Sequence, residues 1–187
     1  MAGEEARPVV IFIGAPGSGK TKIGRRVAKL LGVTFVDSDK RIVAEHGDIA
    51  DIFTQHGEPY FRELERATIS EALRERVVLS VGGGAVMHPE TRAEFAQHRI
   101  VQLTVSAEAV ESRITGGKRP LLSSGLDAWR TLVDKRSSVY NELATRSWDT
   151  SSRPIDSIAA DIAEWVADEA DIPLAAQRTT TDGNEAR

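Results

Sequence analysis

The sequence predicts an α/β domain: a parallel sheet with helices packed on both faces. Three observations predict it. Short apolar runs recur at residues 8–14, 33–39, 77–85 and 99–105, segments of helical period lie between them, and glycines follow the first and third runs. Strands apolar along their whole length suit a sheet buried on both faces. Their alternation with helices implies right-handed crossovers between parallel strands. Ligands in such folds bind beyond the carboxyl ends of the strands, and the motifs described below fall at those ends.

Taken in order, residues 1–7 read as a flexible leader, and PVVIFIG (8–14) as the first strand. KTKIGRRVAKLLG follows as a helix, with Ile23, Val27, Leu30 and Leu31 at helical spacing and Gly32 as its C-terminal stop. VTFVDSD is the next strand. Residues 40–75 read as helical, broken near Gly47 and again near Gly57-Glu58-Pro59. VVLSVGGGA (77–85) is a buried strand that ends in three glycines. A helix near 89–97, a strand at 99–105 and a helix at 107–114 follow. TGGKRPLLSSG then breaks the pattern as a loop. Helices over about 126–145 and 154–169 complete one domain spanning 8–172. The polar stretch 173–187 reads as a disordered tail.

Composition narrows the function classes. The chain has 187 residues, enough for one domain. It is 41% hydrophobic and 28% charged, ordinary for a globular protein. No stretch approaches the roughly 20 apolar residues of a membrane span, and MAGEEARP lacks the basic-then-apolar order of a secretion signal. There is no cysteine, which removes disulfides and thiolate metal sites. With net charge −4 and arginines spread singly, nothing resembles the basic stripe of a nucleic-acid binder. We therefore expect a cytoplasmic monomer that acts on small molecules, with neither nucleic acid nor membrane as partner.

Gly14-Ala15-Pro16-Gly17-Ser18-Gly19-Lys20-Thr21 matches G-x-x-x-x-G-K-[ST] in full, between a strand and a helix. Glycines let successive backbone N–H groups face a phosphate, and the helix start adds its positive dipole end. Lys20 would reach the β and γ phosphates, and the Thr21 hydroxyl would hold Mg²⁺. The motif fixes a nucleotide site rather than a reaction. No N-K-x-D base-reading motif is present, and the chain is short for a motor ATPase, so the length favours a small-molecule kinase.

Asp37-Ser38-Asp39 closes the second strand. In an extended segment residues i and i+2 point to one side, so both carboxylates could face the crevice. One could complete a Mg²⁺ shell and the other could orient or deprotonate an attacking hydroxyl. A plain helix cap by Ser38 or Asp39 is an equally simple use of these residues. Gly82-Gly83-Gly84 imply a close approach or an unusual dihedral, and a ligand against the backbone accounts for all three better than a tight turn does. Arg62, Arg136 and Arg119 each read by themselves as a surface charge. Two arginines facing a crevice would grip a carboxylate, and one on a closing loop would stabilise phosphoryl transfer. His46, His56, His88 and His98 show no metal-ligand spacing.

Together, GAPGSGKT, IGRRVAKLLG, the D-x-D of FVDSDKRI, IADIFTQHGEPYFRELE, SVGGGAV, RPLL and KRSSVY resemble the shikimate kinase family from about Val10 to Trp165. The resemblance implies a three-layer α/β/α fold of the nucleoside-monophosphate-kinase type, with five parallel strands. It also implies a mobile lid (about 115–125) and a substrate-binding helical region (about 39–66). It implies phosphorylation of the 3-hydroxyl of shikimate by ATP, with Mg²⁺. Through it, Asp37 with Thr21 becomes the metal side, while Asp39 binds the substrate hydroxyls and can act as base. Arg62 and Arg136 become the carboxylate grip, oriented by Glu65, and Gly82, Gly83 and Gly84 lie against the substrate. Lys22 extends the nucleotide loop, Arg119 becomes the lid arginine, and Arg153 flanks adenine. The chain departs from the family pattern at three places. HGDIADIF is one residue short, the lid segment is compact, and Lys22 replaces a small hydroxyl residue. None removes a chemical group that the reaction needs. A gluconate kinase or a non-catalytic nucleotide-binding regulator would share the phosphate loop.

Overall fold

The computed structural model describes residues 6–115, 125–170, 172, 174 and 175, with backbone only at 114 and 115. Five strands form one sheet: β1 (Val10–Gly14), β2 (Thr34–Asp37), β3 (Val77–Ser80), β4 (Ile100–Thr104) and β5 (Arg146–Asp149). Their order is β2-β3-β1-β4-β5, and every pairing is parallel. The helices are α1 (Lys20–Leu31), α2 (Ser38–His46), α3 (Ile49–Ala72), α4 (Pro89–Phe95), α5 (Ala107–Thr115), α6 (Gly125–Leu143) and α7 (Ile155–Ala170). None of the described helices is long and apolar enough to cross a membrane.

The central strand shows why the sheet has three layers. All five residues of β1 are buried, and their side chains alternate between two cores. Val10 and Phe12 pack with α1 and α7, through Ile23, Val27, Ile158 and Ile162. Ile11 and Ile13 pack on the other face with Ile69 of α3, Phe95 of α4 and Tyr140 of α6. A continuous apolar run is therefore required of β1.

Several local features follow expectation. Gly32 ends α1 at φ 64°, and Gly47 ends α2 at φ 89°. Gly57 (φ 84°) interrupts α3 at the expected break. Leu30 is 39% exposed, and the buried face of α1 adds Gly24 and Ala28 to Ile23, Val27 and Leu31. A Cβ at Gly24 would sit 2.6 Å from the Phe35 ring, so close helix–sheet packing excludes a larger residue. Leu174, within the stretch read as a tail, packs against the α1/α7 core. Most of the remaining leader and tail, and residues 116–124 of the expected lid, lie outside the described residues.

Candidate active site

β1 ends at Gly14 and α1 begins at Lys20, so the phosphate loop occupies the turn at the carboxyl edge of the sheet. Gly14, Gly17 and Gly19 have φ of 139°, 86° and 92°, values that side chains resist. Gly14 has a second constraint, because a Cβ there would lie 2.3 Å from the Leu103 carbonyl oxygen. Lys20 folds back across the loop and its Nζ donates to the carbonyls of Gly14 (2.8 Å) and Ala15 (3.1 Å).

The D-x-D segment differs from the extended arrangement expected of it. β2 stops at Asp37, and Ser38 and Asp39 already belong to α2. Asp37 itself is the N-cap, accepting from the Lys40 amide at 3.3 Å. Its other oxygen accepts from the Thr21 hydroxyl at 2.7 Å. Ser38 is buried, and its Oγ accepts from the Gly82 amide at 3.2 Å. Asp39 turns into the crevice, where burial first, and then the charges of Asp37 and Glu65, raise its pKa to about 6. Lys20 and Arg62 oppose that rise.

A cavity of about 210 Å³ lies beside Asp39, lined by Pro16, Ile49, Phe53, Phe61, Arg62, Glu65, the three glycines, Ala128, Trp129, Leu132 and Arg136. The lining is partly apolar and partly charged, and the charged part includes both arginines. Arg62 Nη1 donates to Glu65 Oε2 at 2.6 Å, and Arg62 Nη2 to Glu58 Oε1 at 3.1 Å. Burial raises the pKa of Glu65, against the pull of Arg62 and Arg136. Ile49 starts α3 with Asp48 as its cap, so the shortened segment falls in the Gly47-Asp48 link and Ile49 still reaches the cavity.

At two of the three glycines the expected close approach is made by side chains of the site. None of the three has a positive φ. A Cβ on Gly82 would lie 2.7 Å from both Asp39 Oδ1 and Glu65 Oε1, and one on Gly84 2.6 Å from Arg62 Nη1. At Gly83 a Cβ would lie 3.4 Å from Arg136 Nη1, the Gly14 carbonyl oxygen and Pro16 Cδ alike. Gly82 and Gly84 make room for the charged side chains of the site itself, whereas a Cβ at Gly83 would meet only ordinary contacts. Tyr140 locks the segment by donating to the Gly83 carbonyl at 2.6 Å.

Asp39, Arg62, Glu65, Gly82, Gly83, Gly84 and Arg136 therefore converge on one cavity, with Pro16 of the phosphate loop at its edge. Lys22 and Arg153 do not join it. Lys22 is exposed, and Arg153 pairs with Asp161 at 2.7 Å on the surface. Arg119 lies outside the described residues. Three side chains given no role from the sequence grip the phosphate loop. Trp129 Nε1 donates to Pro16 O (2.8 Å), Arg113 Nη1 to Gly17 O (2.9 Å) and Thr150 Oγ1 to Ser18 O (2.9 Å). Trp129, Arg136 and Tyr140 lie 7 and 11 residues apart on α6, a helical-face spacing that could have linked them. Among the described residues no cluster of three or more His, Cys, Asp or Glu side chains could hold a metal.

The family model described as shikimate kinase matches residues 16–167. The shikimate kinase of Corynebacterium efficiens is 38% identical over 168 residues, 88% of this chain and 99% of that protein. That of Mycobacterium avium is 46% identical over 153 residues, 78% of this chain and 86% of the other. Among solved structures, the Acinetobacter baumannii shikimate kinase in complex with shikimate superposes with a TM-score of 0.80 at 31% identity, covering 89% of this chain and 96% of that one. A nucleotide loop and an arginine-lined cavity on a five-stranded parallel sheet, together with these likenesses, place the chain in the shikimate kinase family.

Proposed function

We propose that the protein transfers the γ-phosphoryl group of ATP to the 3-hydroxyl of shikimate, giving shikimate 3-phosphate and ADP on the route to chorismate and the aromatic amino acids. The observation that carries this reading is the cavity in which Asp39, Arg62 and Arg136 face one another beside the phosphate loop. A cyclic hydroxy acid presents a carboxylate and ring hydroxyls, and this cavity offers two guanidinium groups and a carboxylate with apolar walls. Bidentate guanidinium–carboxylate pairing fixes orientation as well as affinity.

In the reaction, Arg62 and Arg136 hold the carboxylate of the acceptor, and Glu65 keeps Arg62 in place. Asp39 orients the hydroxyl or takes its proton. A carboxyl group with a pKa near 6 is ionised at neutral pH and still basic enough to accept a proton. Lys20 and the loop amides bind the phosphates. The Thr21 hydroxyl and the Asp37 carboxylate, already 2.7 Å apart, are hard oxygen donors that fit Mg²⁺, an ion that usually takes one or two carboxylates plus substrate phosphates. When bound, Mg²⁺ supplies charge neutralisation at the phosphates. Arg119 belongs to the segment we assign as the lid, where it would close over the transferring group, and Lys22 and Arg153 extend the nucleotide site. We infer that it acts as a monomer. We assign it to the cytoplasm.

A coupled ADP-release assay with shikimate, with gluconate and without acceptor tests the proposal. Release that depends on shikimate is expected. Release with gluconate instead makes it a kinase of another acceptor, and release with neither makes it a nucleotide-binding regulator.

A further inference from the structure

We propose that Trp129 is a positioning residue for the phosphate loop, holding the Pro16–Gly17 peptide so that the Gly17 amide faces the bound phosphates. Each carbonyl from Gly14 to Gly19 accepts a hydrogen bond. Lys20 serves Gly14 and Ala15, Trp129 serves Pro16, Arg113 serves Gly17, Thr150 serves Ser18, and the Ile23 amide serves Gly19. The described peptides are all trans, so each N–H points opposite to the carbonyl before it. A donor that fixes the Pro16 carbonyl therefore also fixes the direction of the Gly17 N–H. Phosphate-binding nests depend on several such amides converging.

Trp129 is suited to this task. It is 6% exposed, packed with Ala15 and Val110, so the indole has little freedom to turn. Indole N–H is a donor only, and Pro16 O at 2.8 Å is its partner. The same ring lines the acceptor cavity. Its position there suggests an acceptor contact, whereas its hydrogen bond assigns it to the nucleotide side.

The inference rests on the proposed nucleotide role of the loop. Trp129→Phe keeps an aromatic ring and removes the donor. We expect the ADP Kd and the ATP KM to rise about three- to tenfold, the range of one net hydrogen bond. The shikimate KM should stay within about twofold. Val133→Ala, which trims a neighbour in the same apolar cluster, should lower Tm and leave the ATP KM unchanged. If Trp129→Phe does not fold, benzothienylalanine at position 129 replaces N–H by sulfur at nearly constant shape and should give the same nucleotide effect. An unchanged ADP Kd would overturn the inference, as would a rise confined to the shikimate KM. An equal rise in Val133→Ala would reduce the effect to general packing and also overturn it. Wild-type protein that binds no ADP would sink the functional reading and the inference together, whereas ADP binding indifferent to Trp129 sinks the inference alone.

Discussion

Asp39→Asn should make the protein more stable and much less active at the same time. Asp39 is held in a partly desolvated crevice beside two other carboxylates, which raises its pKa from the usual 3.8 to about 6. A group whose folded pKa is raised binds its proton more tightly in the folded state, so its ionised form opposes folding. That opposition is fully present above about pH 6 and fades as pH falls from 6 towards 3.8. The difference corresponds to about 3 kcal/mol at pH 8. Asparagine keeps the shape and removes the charge. For a chain of this size Tm should rise by about 6–12 °C at pH 8, with the gain shrinking to about 1–2 °C near pH 4. Thermal unfolding of both proteins across this pH range measures it. Activity should fall by about 10²-fold or more, as when a positioned acid–base group is lost. In the wild type, kcat should fall as pH drops through about 6 and Asp39 takes up its proton. A Tm at pH 8 that is equal to or below the wild-type value would refute this account of the Asp39 environment.

Three other substitutions separate the parts of the site. Gly84→Ala places a methyl group 2.6 Å from Arg62 Nη1 and pushes the guanidinium aside, so the shikimate KM should rise at least about tenfold with little change in the ATP KM. Because Arg62 can move, Tm should drop only slightly. Thr21→Ala removes the hydroxyl beside Asp37, and the Mg²⁺ concentration giving half-maximal rate should increase by about tenfold. Gly24→Ala should behave oppositely to both. Its Cβ meets the Phe35 ring at 2.6 Å, so calorimetry should show a loss of about 1–3 kcal/mol with both KM values intact.

The sequence carried the nucleotide half of the site better than the acceptor half, for reasons visible in particular residues. VIFIG and the loop after it are contiguous, and their chemistry depends on local dihedrals and one helix start. β5 was expected only from family resemblance. In Arg146-Ser-Trp-Asp149, Trp148 alone is buried, so no apolar run marks it. It is a strand because its backbone pairs with β4 at the sheet edge. Leu30 shares the helical spacing of Ile23, Val27 and Leu31 yet is 39% exposed, because apolar character at that spacing does not say which side meets the sheet. Asp37 ended the strand earlier than an i, i+2 reading assumed, since an N-cap preference won locally. The crowding at Gly82 and Gly84 depends on Asp39, Glu65 and Arg62, which arrive from α2 and α3. Likewise the loop donors Arg113, Trp129 and Thr150 lie 96, 113 and 132 residues from their acceptors, a relation that only the folded chain reveals.

The central claim is that the cavity recognises the carboxylate of its acceptor through Arg62. Steady-state kinetics of Arg62→Ala, with shikimate and ATP varied in turn, tests it most directly. Loss of a buried charge-assisted pair should raise the shikimate KM by about thirtyfold or more, while the ATP KM stays within about twofold. Equal effects on both substrates would contradict the assignment.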